Sequence, residues 1–254
     1  MEASPAGLND SGQAAVALGT SAIWLVMPTY NEALNIEPIV EAAREHLPPG
    51  SRILIVDDNS PDGTGQVADR LAAEDDHVEV LHRTKKEGIG PAYVAGFNRA
   101  IAGGADLVAQ MDSDFSHDPA ELPLLIAAAD DADVVLGSRY VEGGEVSDWG
   151  ALRRSVSRGG SVYARLVLGL PIRDLTGGFK VLRRAVLERI DLGSISSAGY
   201  AFQVEVTYRA ARRGFRIDEI PIHFRDRRAG KSKMSGLILA EAAIGVPRMR
   251  VRDF

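Results

Sequence analysis

The sequence of 254 residues predicts an α/β protein with a mostly parallel sheet flanked by helices. Continuous apolar runs of strand length recur along the chain, and stretches with apolar residues at helical spacing separate them. Proline, glycine or acidic residues end these runs. Because strands and helices alternate in this way, we expect right-handed crossovers between parallel strands.

The first 138 residues carry the regular alternation. Strands are predicted at 22–27, 52–56, 78–82, 107–111 and 133–137. Helices are predicted between them at 33–47, 64–73, 91–102 and 119–129. Pro28 is expected to stop the first strand, and Asp57-Asp58 the second. The pattern indicates a Rossmann-like half, although it lacks a G-x-G-x-x-G motif.

The rest of the chain is less regular. Helices are predicted at 152–168, 184–190 and 202–213, and an alternating strand at 215–224 is expected to pair at the sheet edge. The segment 174–179, DLTGGF, is interpreted as a turn-rich insert. No linker interrupts the sequence, so we expect a disordered tail at 1–20 and a single domain at 21–254.

Composition excludes several classes of protein. The chain contains no cysteine, so it has neither disulfides nor thiolate metal sites, which fits a reducing compartment. The first twenty residues carry acids and no basic region, unlike a signal peptide. No apolar run reaches the roughly eighteen residues that span a bilayer. We therefore expect a soluble or peripheral protein.

Charge divides the chain into two unlike halves. Residues 1–138 hold 7 Lys or Arg and 23 Asp or Glu, whereas residues 139–254 hold 22 and 12, giving −16 and +10. The split indicates an acidic half that uses a metal and a basic half that meets an anion. The basic half has no zinc-finger spacing, no RNP motif and few aromatic residues, so nucleic acid is not the expected partner.

Asp112-Ser113-Asp114 directly follows the predicted strand at 107–111. Ligands collect outside the carboxyl ends of the strands in open α/β sheets, and Mg²⁺ or Mn²⁺ prefers carboxylate oxygens together with substrate phosphates. The pair therefore indicates a metal that holds a nucleoside diphosphate. Taken alone, such a pair is more often an acidic solvated turn, so the metal interpretation depends on its context. The neighbouring His117 is interpreted as a loop residue.

Further polar side chains follow the first two strands. Tyr30 and Glu32 come after the first, and Asp58 comes after the second. Their ring face and carboxylates could hold a base and a ribose at the same rim. The competing interpretation is structural, with Asn31 as a helix cap and Asp62-Gly63 as a turn.

Seven motifs in order produce a specific resemblance: PTYNE, DDNSPDGT, GIG, MDSDFSHDP, GSRY, DLTGGFK and HFRDRRAGKSKM. Over roughly residues 22–240 the chain resembles the inverting family 2 glycosyltransferases that make polyprenyl-phosphate sugars, above all the polyprenol-phosphate (dolichol-phosphate) mannosyltransferases. That family has a GT-A fold, uses a divalent metal and moves mannose from GDP-mannose to a membrane-embedded polyprenyl phosphate.

The resemblance implies roles for particular residues. Those expected to bind the nucleotide sugar are Pro28, Tyr30, Glu32, Val56, Asp58, Asp112, Ser113, Asp114, Arg227 and Lys233. Asp114 is the expected direct ligand of Mg²⁺ or Mn²⁺, Asp112 binds the metal or the ribose, and Ser116 is a third candidate where relatives carry Gln. Arg227 and Lys233 close over the donor diphosphate.

On the acceptor side, the resemblance places Arg139, and also Arg153 or Arg154, at the acceptor phosphate. It divides the domain into a nucleotide and metal half at 21–138, an acceptor half at 139–233 and an amphipathic, membrane-proximal segment at 234–254. Asp174 is left between two roles, contact with the sugar or an ion pair that pins its turn. Gln203 and Glu205 are too far apart around a helix for both to face the site.

The chemistry is consistent with these residue types. A phosphate monoester has a second pKa of about 6, so it attacks without a strong general base, and cations stabilise the departing diphosphate. Asp114, Arg139, Arg227 and Lys233 are therefore the expected catalytic residues. Two alternatives remain: a polyprenyl-phosphate glucosyltransferase that uses UDP-glucose, and a phosphatase with Asp112 as nucleophile.

The expected location is the cytoplasmic face of a membrane. Many glucosyl-type relatives carry C-terminal transmembrane helices, and this sequence has none, which favours the short mannosyl type. The apolar run 234–246 and the following Arg248, Arg250 and Arg252 predict peripheral contact with the membrane surface, or with a separate membrane-anchoring protein.

Overall fold

A computed structural model describes residues 21–195, 197, 199–226 and 245–251. It contains a seven-stranded sheet and a two-stranded ribbon. The strands are β1 (Ile23–Thr29), β2 (Arg52–Asp57), β3 (Val78–His82), β4 (Leu107–Gln110), β5 (Val134–Ser138), β6 (Glu145–Val146), β7 (Lys180–Arg183), β8 (Ile217–Pro221) and β9 (His223–Phe224). The helices are α1 (Ile36–His46), α2 (Thr64–Glu74), α3 (Ile89–Ala102), α4 (Leu122–Ala128), α5 (Ala151–Leu168), α6 (Arg184–Arg189) and α7 (Tyr200–Arg212), and 3₁₀ turns cover Pro119–Glu121 and Leu192–Ser194.

The strand order in the large sheet is β3-β2-β1-β4-β7-β5-β8. All neighbours are parallel except β7, which runs antiparallel to both β4 and β5. The mostly parallel α/β fold predicted from the sequence is therefore confirmed. The carboxyl ends of β1, β2 and β4 meet at one edge, which carries the predicted acidic residues.

The core lies on both faces of the sheet. One apolar cluster packs α3, α5 and α7 against one face, and the other packs α1, α2 and α4 against the opposite face. Gly96 lets α3 approach the sheet closely, because a Cβ at that position would overlap the side chains of Val26 and Val56. Burial on both faces explains why β1, β2 and β4 are continuous apolar runs.

Several expectations about element boundaries are corrected. Pro28 does not end β1, because the strand continues to Thr29 and pairs Pro28 with Val56. The first helix begins at Ile36, three residues later than expected, with Asn35 rather than Asn31 at its N-cap position. Directly after the insert at 174–179, residues Lys180–Arg183 form a central strand, β7, which the sequence did not predict.

The late alternating strand is confirmed in part. β8 pairs with β5 at the sheet edge, as expected. The segment then leaves that sheet, and β9 pairs with β6 as a separate parallel ribbon. This ribbon carries the C-terminal part of the described chain towards the acidic loop, where Arg225 N–H donates to the Ser116 carbonyl at 3.1 Å.

Some predicted features lie outside the described residues. These are the tail at 1–20, Arg227, Lys233 and most of the segment 234–254. Residues 245–251 of that segment are helical, and Val246 and Met249 are buried in the core. In the part of the chain that the structure describes, no helix combines the length and apolar character needed to cross a bilayer.

Candidate functional site

The acidic loop, Asp112 to Ser116, follows β4 and turns sharply at Phe115, whose φ is 62°. Asp114 is nearly buried, and its Oδ1 accepts the Ser116 N–H at 3.0 Å. The Ser113 hydroxyl donates to the Pro28 carbonyl at 3.3 Å, which ties the loop to the end of β1. Hydrogen bonds between side chains and the main chain therefore fix the loop at the sheet edge.

Asp112 is held from the other side by α3 and by His117. The Tyr93 hydroxyl donates to Asp112 Oδ1 at 3.2 Å. Burial, with the Asp112 and Asp114 carboxylates, raises the pKa of Tyr93 well above its usual value, so the phenol stays a donor. His117 Nδ1 accepts the Asp112 N–H at 3.3 Å, which places its proton on Nε2.

His117 is a neutral residue of the site. It is buried, stacks on Phe179 at 5.0 Å between ring centroids and meets Phe224 edge-on at 5.3 Å. Burial, together with the Arg139 charge and against the pull of Asp114 and Asp174, lowers its pKa to about 4. The imidazole is therefore uncharged near neutral pH and serves to support the acidic loop.

The inner wall consists of Arg139, Asp174 and Thr176. Arg139 Nε and Nη2 each donate to an Asp174 carboxylate oxygen at 2.7 Å, and Nη2 also donates to Thr176 Oγ1 at 2.9 Å. The Arg139 and Asp174 side chains are 4% and 0% exposed. Burial alone would raise the pKa of Asp174, but the guanidinium charge and its hydrogen bonds bring it below the usual value. Of the two roles considered for Asp174, the structure shows the ion pair.

The outer lip consists of Trp149, Arg153 and Asp226. Arg153 Nη1 donates to both Asp226 carboxylate oxygens at 3.0 Å, and its guanidinium lies 4.1 Å from the centre of the Trp149 ring. Arg154 instead donates to the Trp149 carbonyl at 3.2 Å. The structure thus separates the two predicted arginines: Arg153 joins the lip, and Arg154 supports the backbone behind it.

A single cleft joins the acidic loop, the inner wall and the outer lip. Its lining residues are Asp112, Asp114, Ser116, His117, Arg139, Trp149, Arg153, Gly178, Phe224 and Asp226. Two buried polar atoms of this lining, Ser116 Oγ and Trp149 Nε1, have no hydrogen-bond partner among the described residues. Because such atoms are costly to leave unpaired, they are candidate contacts for water or ligand atoms.

A divalent cation fits this cleft as a site shared with substrate. Within the described residues no group of three or more His, Asp or Glu is arranged to hold a metal. Asp112 and Asp114 supply two carboxylates on one loop, and Ser116, whose Oγ has no partner among the described residues, lines the same cleft. Mg²⁺ is commonly bound by one or two carboxylates completed by water and phosphate oxygens, so this donor set fits.

The residues predicted to bind the nucleotide lie along the adjoining rim, and several of them contact other side chains of the same protein. Lys86 Nζ sits 3.7 Å from the centre of the Tyr30 ring. Asn35 Nδ2 donates to Glu32 Oε2 at 2.8 Å. Asp58 Oδ1 accepts from Arg83 Nη1 at 2.5 Å. Val56 is fully buried, and Pro28 lies beside it in the sheet.

Several residues of the site were missed from sequence. Trp149 and Asp226 belong to the outer lip, where both contact Arg153, and the long-range ribbon places their segments side by side. Below the cleft, Gln110 Nε2 donates to the Gly178 carbonyl at 2.7 Å and to Gln203 Oε1 at 2.8 Å. Glu205 points away to a buried pair with Arg209, so Gln203 and Glu205 serve different places, as expected.

Lys180 is a further buried charge that the sequence did not single out. Its Nζ donates to the Gln203 carbonyl at 2.8 Å and to Thr207 Oγ1 at 3.0 Å. Burial lowers the pKa of Lys180 to about 7, although the Asp174 carboxylate acts in the opposite direction. It directly follows the segment 174–179, interpreted from the sequence as a turn-rich insert, and no strand was predicted at 180–183.

Comparisons with known proteins agree with this architecture. Residues 24–191 match the family model described as Glycosyl transferase family 2. The chain is 48% identical over 226 residues to undecaprenyl-phosphate mannosyltransferase of Micrococcus luteus, covering 89% of this chain and 93% of that protein. It is 45% identical over 235 residues to polyprenol monophosphomannose synthase of Mycolicibacterium smegmatis, covering 92% and 88%.

Solved structures show the same fold at lower identity. Glucosyl-3-phosphoglycerate synthase from Mycobacterium tuberculosis, in complex with Mn²⁺, UDP and glucosyl-3-phosphoglycerate, superposes with a TM-score of 0.70. The identity is 18%, and the match covers 92% of this chain and 82% of that one. The same enzyme with Mg²⁺ and UDP also gives a TM-score of 0.70.

Proposed function

This chain belongs to glycosyl transferase family 2, and from that premise we propose that it transfers mannose from GDP-mannose to the phosphate of a polyprenyl phosphate. It is a glycosyltransferase with the GT-A fold. The similarity to two polyprenyl-phosphate mannose enzymes spans nearly the whole chain. Membership of a glycosyltransferase family argues against the phosphatase with an Asp112 nucleophile.

One observation carries the proposal: carboxylates and guanidinium groups line the same cleft from opposite halves of the sequence. Asp112 and Asp114 come from the acidic half, and Arg139 and Arg153 come from the basic half. A nucleotide diphosphate with its cation suits the first pair, and an anionic acceptor suits the second. The substrates would then meet within the cleft.

Asp112 and Asp114 would hold Mg²⁺ or Mn²⁺, with Ser116 Oγ as a third candidate. The bound metal supplies positive charge that stabilises the departing diphosphate. Tyr93 and the Ser116 N–H hold the two carboxylates in place for this task. Arg227 and Lys233, outside the described residues, are proposed from the resemblance to close over the same diphosphate.

The acceptor phosphate would bind between Arg153 and the Trp149 N–H. Arg153 is 29% exposed and lies at the cleft mouth, so it can exchange the Asp226 carboxylate for a phosphate. Trp149 Nε1 offers an unused donor beside it. Arg139, held by Asp174, contributes charge from the inner wall and keeps the predicted catalytic role as a proposal.

No side chain of the cleft is needed as a strong base. The acceptor phosphate is largely a dianion near neutral pH, since its second pKa is about 6. His117, with its pKa near 4 and its Nδ1 already accepting a hydrogen bond, is a poor proton acceptor. Direct attack by the phosphate oxygen would invert the α-linked donor to a β-linked product.

The remaining nucleotide residues are proposed to hold guanosine at the rim: Pro28, Tyr30, Glu32, Val56, Asp58 and Ser113. A base that binds on the face of the Tyr30 ring covered by Lys86 would displace that lysine. We propose that the enzyme works at a membrane, because the proposed acceptor carries a long hydrocarbon tail, and at its cytoplasmic face, because a chain without cysteine fits a reducing compartment. A membrane-anchoring partner protein is the alternative to direct contact.

A donor competition assay tests the proposed function. Purified full-length protein is given radiolabelled GDP-mannose or UDP-glucose, with polyprenyl phosphate and Mg²⁺ or Mn²⁺. We expect lipid-soluble label from GDP-mannose and not from UDP-glucose, and no transfer in the presence of a chelator. Preferential transfer from UDP-glucose would establish the glucosyltransferase alternative instead.

A further inference from the structure

Helix α5 has apolar residues on its outward face as well as on its inward one. Ser161, Ala164 and Leu168 are buried against the protein. On roughly the opposite side of the helix, at a spacing of three or four residues, lie exposed apolar side chains that form the outward face: Leu152, Val156, Val162, Tyr163 and Leu166. Leu152 is 80% and Leu166 69% exposed. Ser155 and Gly159 lie between these side chains, but the face is otherwise apolar, and an exposed apolar face marks an interaction surface.

Basic side chains border the outward face. Arg154, Arg158 and Arg165 lie along one flank of α5 at helical spacing. Within the described part of the chain, no carboxylate pairs with Arg158 or Arg165. The half of the sequence that contains α5 carries a net charge of +10. An apolar stripe beside unpaired arginines complements an anionic, amphipathic surface.

The C-terminal helical segment adjoins the same region. Arg250 Nη1 donates to the Val167 carbonyl at 2.8 Å and ties residues 245–251 to the end of α5. In this segment Val246 and Met249 are buried, whereas Val251 is 86% exposed. The segment therefore adds apolar and basic surface next to the outward face.

We propose that the outward face of α5 docks on a lipid bilayer that contains anionic lipids. Its apolar side chains would enter the interfacial region, and Arg158 and Arg165 would contact the head groups. This surface lies beside the cleft, because Arg153 of the outer lip directly follows Leu152 on α5. The proposal rests on the proposed function in one respect: an acceptor phosphate reaching Arg153 could keep its hydrocarbon tail in the bilayer.

Vesicle flotation of the full-length protein tests this surface. The vesicles are phosphatidylcholine alone, or phosphatidylcholine mixed with phosphatidylglycerol. The test variant is L152S/L166S, and Leu124→Ser on α4 is the matched control, since Leu124 is also strongly exposed, at 60%. We expect L152S/L166S to partition about tenfold more weakly, because it loses two apolar side chains from the interface. Leu124→Ser should behave as wild type.

A charge-reversed variant separates the electrostatic contribution. R158E/R165E should lose the preference for vesicles with phosphatidylglycerol while keeping its thermal unfolding midpoint. All these side chains are at the surface, so thermal unfolding should confirm that each variant folds. Flotation of L152S/L166S equal to wild type, or an equal loss in Leu124→Ser, would overturn the proposal.

The same variants distinguish other outcomes. If the wild type sediments as a dimer that L152S/L166S dissociates, with unchanged flotation, a second copy of the chain occupies the face and the proposal is wrong. If the wild type floats as expected yet transfers no mannose from GDP-mannose in detergent, the proposed function fails and the docking surface stands. If transfer succeeds in detergent and L152S/L166S still floats normally, only the docking surface fails.

Discussion

The inner wall and the outer lip of the cleft each present an arginine paired with an aspartate, but they hold it differently. Arg139 and Asp174 are sealed from water, with side chains 4% and 0% exposed. Arg153 and Asp226 lie at the mouth, 29% and 39% exposed. The Asp174 carboxylate also accepts the Arg139 backbone N–H at 3.0 Å, so the inner pair is anchored to the main chain as well.

This difference assigns different work to the two arginines. Separating a buried pair leaves an uncompensated charge and costs about 3–5 kcal/mol, whereas an exposed pair contributes about 1 kcal/mol or less. A substrate phosphate can therefore replace Asp226 at Arg153 far more easily than Asp174 at Arg139. We infer that the lip exchanges partners during binding and that the wall keeps its geometry.

The largest loss of activity is expected from a substitution in the acidic loop, and the effects of substituting the two arginines are expected to be smaller. Asp114→Ala should lower mannosyl transfer about a thousandfold, because a metal supplies several kcal/mol of charge stabilisation. Activity and Mn²⁺ binding, followed by electron paramagnetic resonance, should fall together. Asp118→Ala, on the same segment but outside the cleft lining, is the control. Unchanged transfer by the Asp114 variant would remove this aspartate from the metal site.

Breaking the inner pair should chiefly destabilise the fold. Asp174→Asn keeps the shape but leaves Arg139 buried without its counter-charge, so the free energy of unfolding should fall by about 3–5 kcal/mol. Asp226→Asn is the matched lip variant and should cost about 1 kcal/mol or less. Urea denaturation measures both. Equal losses in the two variants would end the distinction between wall and lip.

Lys180 extends the comparison to a buried cation with neutral partners. With a pKa of about 7 in the folded protein and about 10.5 when unfolded, the unfolded chain binds more protons between those values. The free energy of unfolding should therefore rise with pH in that window, by about 1.4 kcal/mol per unit for one proton. The stability gained in this window should be lost again as the pH falls towards 7, the pKa of Lys180 in the folded protein. Urea denaturation at pH 7.5, 8.5 and 9.5 (about two pH units in all, over which the linkage slope applies) should show no such rise for Lys180→Met. If the free energy of unfolding changes with pH in the same way in wild type and variant, Lys180 does not have the lowered pKa.

A smaller effect is expected at the lip itself. Arg153→Met retains an unbranched side chain over Trp149 but removes the charge, so KM for polyprenyl phosphate should rise about tenfold, the range of a charged hydrogen bond. KM for GDP-mannose should stay constant. Arg154→Met, on the neighbouring position, should change neither constant. A larger effect at Arg154 would reverse their proposed roles.

The smallest effect tests the unused indole donor. Trp149→Phe keeps an aromatic ring under Arg153 and deletes Nε1–H, so KM for the acceptor should rise about fivefold. Stability should stay the same or improve slightly, since an unpaired buried donor disappears. Identical KM values for wild type and variant would show that the acceptor phosphate does not reach this atom.

Sequence patterns were sufficient to predict the elements whose signal lies in a short stretch of neighbouring residues. β1, β2 and β4 are buried on both faces, so each is a continuous apolar run that ends where polar residues begin. That same rule located Asp112 and Asp114 at the sheet edge. Their proposed ligand roles additionally needed the resemblance, because two acids after a strand also describe an ordinary turn.

The missed features depend on long-range pairing. β7 has the sequence KVLR, with only two apolar residues, and is a strand because Val181 pairs with both Ala109 and Val135. The Arg139–Asp174 pair joins residues thirty-five positions apart. No spacing rule connects Trp149 with Asp226; both contact Arg153, and the ribbon of β6 and β9 brings their segments side by side.

The central position of β7 also has a consequence for the order of folding. Its strand fills the gap between β4 and β5, so neither of those can complete its hydrogen bonding on that side until residues 180–183 are available. During synthesis, β4 would therefore expose one open edge until β7 arrives, and β5 would expose both of its edges, because its other neighbour, β8, also comes later in the chain. Such edges recruit other strands, which makes this interval the period when the nascent chain most needs protection from aggregation.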